Sequence, residues 1–99
     1  MAKFSVYPNL EGGGYLIDVQ ADLMRHLNTR MVIPLLPLDV APKPAKTLNP
    51  LFDISGTTHS MVTQYMTAVH VKALRDVIFT AESRRNDIVA AIDLVLHGF

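Results

Sequence analysis

Only one stretch of this chain is long and unbroken enough to make a full helix, and everything before it is cut into strand-sized pieces. All six prolines fall between Pro8 and Pro50, and from Thr80 onward the single glycine is Gly98. At about 3.6 residues per turn, Ile88, Ile92, Val95 and Phe99 line one side of that last segment, flanked by Val89, Leu96 and Ala91. Leu94 and Ala90 lie near the opposite side, beside Asp93 and His97. The segment never turns polar toward its tip, which predicts a tip buried in a subunit interface or a partner. The alternative is a terminal helix docked on its own core. Thr80 or Ser83 is placed to cap the helix, and Glu82 complements the positive end of its dipole.

The preceding residues read as short strands. Phe4 and Val6 alternate in Lys3–Tyr7, then Pro8-Asn9 and Gly12-Gly13-Gly14 supply turn residues. Tyr15 to Gln20 reads as the returning strand, with Tyr15, Ile17 and Val19 on one face and Leu16, Asp18 and Gln20 on the other. Residues 29 to 36 are β-rich, and Pro34 inside them predicts an edge strand or a bulge, because proline donates nothing to a ladder. Pro37, Pro42, Pro44 and Pro50 keep residues 37–50 irregular, as an exposed excursion or a poorly paired hairpin. Leu51–Ile54 and His59–Tyr65 read as strands joined across residues 55–58, and Ala68–Leu74 as one more. Antiparallel strands followed by one helix predict a mostly-β domain spanning residues 1–99, a strongly bent SH3-like barrel with the helix packed on its sheet.

Charge narrows the class of partner. Nine basic and nine acidic residues cancel, which argues against an affinity built on phosphate neutralisation. Hydrophobic residues make up 49% of the chain, and a surplus of that kind commonly ends in a subunit interface, so a homodimer is expected. The lack of cysteine excludes disulfides and thiolate metal ligands. Residues 1–7 lack the apolar core of a signal peptide, and no segment approaches the roughly 20 apolar residues of a membrane span. A cytoplasmic protein without membrane contact is the expectation.

No catalytic constellation can be assembled from spacing. The triple glycine lacks the Lys-Ser/Thr ending of a phosphate loop, and no helix follows it. His26, His59, His70 and His97 show no metal-ligand spacing. Asp18 and Asp22 read as a carboxylate pair or, more simply, with Asp22 capping the turn after the strand. No Ser lies in a Gly-x-Ser-x-Gly elbow, and Arg84-Arg85 reads as a solvated helix face. The residues describe a binding protein rather than an enzyme, with no metal and no cofactor.

Several collinear segments resemble one family. Residues 16–22 (LIDVQAD), 30–35 (RMVIPL), Asn86-Asp87-Ile88 with Ala91-Ile92, and Gly98 followed by one apolar residue look like the CcdB family of toxins. Leu48-Asn49-Pro50 with Asp53-Ile54, and residues 61–63 with 66–69, are weaker matches in the same order. The resemblance spans nearly the whole chain. It implies a homodimer of SH3-like barrels, a toxin of a toxin–antitoxin module concerned with plasmid maintenance. Such a toxin inserts between the A subunits of DNA gyrase and traps the cleaved-DNA complex. It implies a second partner too: a CcdA-like antitoxin, whose DNA-binding domain makes the toxin a co-repressor of its operon. Carried onto this chain, the gyrase-binding positions are Leu23, Met24, Asp93, His97, Gly98 and Phe99. Family members carry Trp where this chain has His97 and Ile where it has Phe99, so the tip presents a smaller and titratable anchor. Val69-His70-Val71 replaces a Val-Pro-Val, and the glycine triplet replaces a more polar hairpin tip.

Two rival readings remain. An mRNA endonuclease toxin of similar fold needs a cationic groove with an acid–base pair, for which Arg30 or Arg25 with His26 are the candidates. The other rival is an inactive dimeric SH3-like module.

Overall fold

A computed structural model describes residues 2–98, and it is built around one long strand. The elements run β1 (Ser5–Pro8), β2 (Tyr15–Asp18), β3 (Thr29–Pro37), β4 (Leu51–Ile54), β5 (Thr57–Met61), β6 (Thr67–His70), β7 (Phe79–Thr80) and α1 (Arg85–His97). Single 3-10 turns lie at Asp22–Met24, Thr63–Tyr65, Val71–Ala73 and Glu82–Arg84. The antiparallel sheet has the order β4-β5-β3-β2-β1-β7, with β6 also paired to β3. It is a curled half-barrel carrying one C-terminal helix, as the strand–helix pattern predicts.

β3 corrects the reading of Pro34. It is the central strand, not an edge. On one side it pairs with β2, Ile17 opposite Ile33, and on the other it changes partner along its length. Residues 29–32 face β6 and residues 35–37 face β5. Pro34 sits at the break between them, so its missing N–H costs no ladder bond. Its carbonyl still accepts from Val62 N at 2.9 Å.

Other boundaries move for local reasons. The β4–β5 hairpin closes through Ser55 and Gly56 alone, both in the left-handed region (φ 52° and 80°), so β5 begins at Thr57 and ends at Met61. Residues 63–65 form a turn, not the end of a strand. β6 stops at His70, whose Nδ1 accepts from Lys72 N at 3.1 Å and starts the next turn. Neither Thr80 nor Ser83 caps α1. Instead, Thr80 Oγ1 accepts from Glu82 N, which opens a 3-10 turn, and α1 follows it with no side-chain cap. Arg84 anchors that junction: it bonds Asp87 at 2.9 Å and the Leu51 carbonyl at 3.0 Å, and stacks 4.3 Å over Phe52. The proline-rich excursion is pinned by buried Asn49, which donates to the Met61 carbonyl and to Gln64 and accepts from Ala45 N.

Strand alternation sorts the core. Phe4, Val6, Ile17, Ile33, Leu35, Phe52, Met61, Ile88 and Ala91 fill the face covered by α1. Tyr7, Leu16, Val32 and Leu74 form a smaller cluster on the opposite face, with Val69 against it. Among the described residues no helix is long and apolar enough to cross a membrane.

Candidate functional site

α1 changes character halfway along. Its first turns bury Ile88 and Ala91 completely, with Val89 and Ile92 packed beside them. Beyond Ile92 the core contact ends. Val95 is 38% exposed and Leu96 65%, and Asp93, His97 and Gly98 are exposed as well. The helix therefore docks on its own core only through its first half. Gly98 ends it in the left-handed conformation (φ 78°), with its N–H on the Leu94 carbonyl at 2.8 Å. Glycine reaches that conformation without the Cβ penalty other residues meet. Phe99 lies outside the described residues.

A second exposed apolar pair lies on the 3-10 turn after β2. Leu23 is 85% exposed and Met24 45%, and none of residues 22–24 is buried. The fold thus leaves exposed all five of the described candidate residues, on two elements with no hydrogen bond between them among the described residues.

At the end of β2, ahead of that turn in the chain, lies a buried ion pair whose members the sequence left apart. Asp18 and Arg30, 0% and 1% exposed, form a two-pronged bridge: Nε to Oδ2 at 2.8 Å and Nη2 to Oδ1 at 3.0 Å. Asp18 lies diagonally across the β2–β3 ladder from Arg30, within reach of a long side chain. The alternation already put Asp18 on the Leu16 face, but its partner depends on strand register. Arg30 Nη1 is buried and has no hydrogen-bond partner among the described residues. Asp18 Oδ1 also accepts from Gln20 N at 3.0 Å. Asp22 does not cap the turn as its position suggested: the 22–24 turn has no side-chain cap, and the Asp22 carboxylate accepts from Lys3 N at 3.3 Å instead. Nearby, burial and then the Asp18 charge push the Tyr7 phenol above its ordinary pKa, partly offset by Ser5 and Arg30.

This arrangement weakens the nucleolytic reading of Arg30. A guanidinium sealed against a carboxylate in the sheet interior is not free to meet a phosphate. Arg25 and His26 are exposed. Among the described residues no group of three or more metal-ligating side chains comes together.

Similar solved structures share this architecture. One is described as "Endoribonuclease in complex with its cognate antitoxin from Mycobacterial species", at TM-score 0.76 and 15% identity, covering 97% of this chain and 94% of that one. Another is the "Mycobacterium tuberculosis toxin MazF-mt6", at TM-score 0.72 and 13% identity, covering 93% and 95%. At such identities the likeness shows the fold alone. A family model, described as CcdB protein, matches residues 3–98. Half-barrel, collinear segments and that match agree: the chain belongs to the CcdB family, toxins of toxin–antitoxin systems.

Proposed function

We propose that this protein is a non-enzymatic poison of DNA gyrase. On this reading a homodimer inserts between the two A subunits of gyrase and holds the enzyme on cleaved DNA. The observation that carries the reading is the second half of α1, where Val95 and Leu96 stay exposed ahead of a left-handed Gly98. An apolar helix end of this kind costs solubility unless a partner covers it. Leu23 and Met24 add a second soft apolar patch suited to the same protein surface. Asp93, His97, Gly98 and Phe99 complete the proposed contact.

The mechanism needs no acid, base or metal. A ligand that binds only the open, DNA-cleaved conformer raises that conformer's population by its differential affinity. Shifting an equilibrium from 1:99 to 99:1 takes about 5.5 kcal/mol of preference, which a few well-buried apolar anchors supply. His97 offers less area than an indole, so poisoning here is weaker than with Trp at that position, or suited to a different gyrase. The cognate antitoxin holds the toxin inactive and carries it to operator DNA as a co-repressor, in keeping with a chain of zero formal charge.

The test is to incubate the protein with purified gyrase and supercoiled plasmid, and separately with total RNA. Linearised plasmid with intact RNA supports the reading. Fragmented RNA with gyrase unaffected overturns it in favour of an mRNA endonuclease. No effect on either overturns it in favour of an inactive dimeric module.

A further inference from the structure

The turn that carries Leu23 and Met24 has little to hold it in place. It is three residues long, none of them buried, so burial of apolar surface does not fix it against the sheet. Its internal bonds are local: Met24 N to the Ala21 carbonyl, Arg25 N to the Asp22 carbonyl, and Leu27 N to the Met24 carbonyl. In a solvent-exposed turn this short, such bonds open readily unless something outside the turn holds it. Among the described residues, two bonds reach it from the strand side. One is an exposed 3.3 Å contact from Lys3 N to Asp22. The other is a 3.0 Å bond from Gln20 Nε2 to the Met24 carbonyl.

Gln20 is 7% exposed and makes three bonds in three directions. Its N–H donates to Asp18, which Arg30 grips from β3. Its Oε1 accepts from Met31 N at 3.0 Å, on β3 itself. Its Nε2 reaches out to the turn. The planar side-chain amide of Gln20 therefore links the central strand to the exposed patch, while its backbone N–H ties the same residue to the buried ion pair. We propose that Gln20 is a positioning residue that fixes Leu23 and Met24 in their binding-competent place. The part of this that concerns partner binding rests on the reading of those two residues as gyrase contacts.

A purely structural Gln20 would serve only to satisfy the Met31 N–H. Gln20→Glu separates the two roles, since an ionised carboxylate still accepts from Met31 N but has no proton for the Met24 carbonyl. The measurement is amide hydrogen exchange at pH 8 on the full chain, with Gln20→Leu alongside and core amides of Ile17 and Ile33 as reference. The expected result is that Met24, Arg25 and Leu27 exchange about tenfold faster in Gln20→Glu while Ile17 and Ile33 change far less. Turn amides as protected as in the wild type would overturn the proposal.

A second readout is the toxin concentration for half-maximal plasmid linearisation, expected to rise about tenfold with antitoxin affinity unchanged. Loosened turn amides with unaltered linearisation would leave Gln20 as the turn's anchor and remove Leu23 and Met24 from the gyrase surface. Unaltered turn amides, with linearisation lost in Leu23→Ala and Met24→Ala, would overturn the role of Gln20 while keeping the gyrase reading.

Discussion

Replacing Arg30 with Met should be among the most damaging single changes in the protein, and its repair by a second substitution the most informative. Arg30→Met leaves the Asp18 carboxylate in a 0% exposed site with, among the described residues, only the Gln20 N–H for company. Stranding one member of a buried pair costs about 3–5 kcal/mol, a large share of the roughly 5–15 kcal/mol that stabilises a domain. At about 4–8 °C per kcal/mol for a domain of this size, the midpoint should fall by at least about 12 °C. The double variant Asp18→Leu/Arg30→Met should behave differently. It removes the buried, unpartnered Nη1 donor, a gain of about 1–3 kcal/mol, and orphans the Gln20 N–H, a loss of similar size. The double variant should therefore lie within about 1 kcal/mol of wild type. The assay is urea unfolding at one fixed protein concentration, because dimerisation would make stability concentration-dependent. A cost under about 1 kcal/mol for Arg30→Met, or a double variant less stable than either single one, would refute the reasoning.

Gly14→Ala places a Cβ against the Leu35 carbonyl at φ +68°, so it should cost about 2 kcal/mol or more, whereas Gly56→Ala, with open space around it, should lose about 1–2 kcal/mol; both are read by urea unfolding. Ile88→Ala empties a fully buried site under α1 and should cost about 2–5 kcal/mol. Leu23→Ala and Met24→Ala should leave the unfolding midpoint nearly unchanged, because both are exposed, while weakening plasmid linearisation. Tyr7 should form its phenolate late in a UV titration, and Tyr7→Phe should abolish that late step. Because the folded pKa of Tyr7 is raised, its stabilising share is intact below the unfolded value of about 10 and is lost as pH climbs through the folded value.

Local pattern carried much of this fold into view. The alternation of Tyr15–Gln20 sorts its residues onto the two observed faces, because both faces of β2 are covered and the period of two survives. The helix reads correctly from its periodicity, but its start does not. Thr80 and Ser83 have the right chemistry for a cap, and the chain uses Thr80 to open a 3-10 turn instead. Pro34 misleads for a deeper reason. A proline is tolerated wherever no N–H is needed, and only the tertiary pairing reveals that β3 changes partner there. The Asp18–Arg30 bridge was equally hidden, since twelve residues separate the two and register alone unites them. At the proposed site the exposure of Leu96 and His97 was foreshadowed by a helix too apolar for solvent at its tip. What Gln20 does there was not, because the two partners of its side-chain amide, Met31 N and the Met24 carbonyl, cannot be read from its neighbours in sequence.

The most direct test of gyrase poisoning through the helix tip is deletion of Gly98 and Phe99, assayed for plasmid linearisation and for antitoxin affinity on the same preparation. Linearisation should vanish while the antitoxin binds as before, because the first half of α1 keeps Ile88 and Ala91 in the core. Linearisation that survives the deletion would show that the tip is not what gyrase grips.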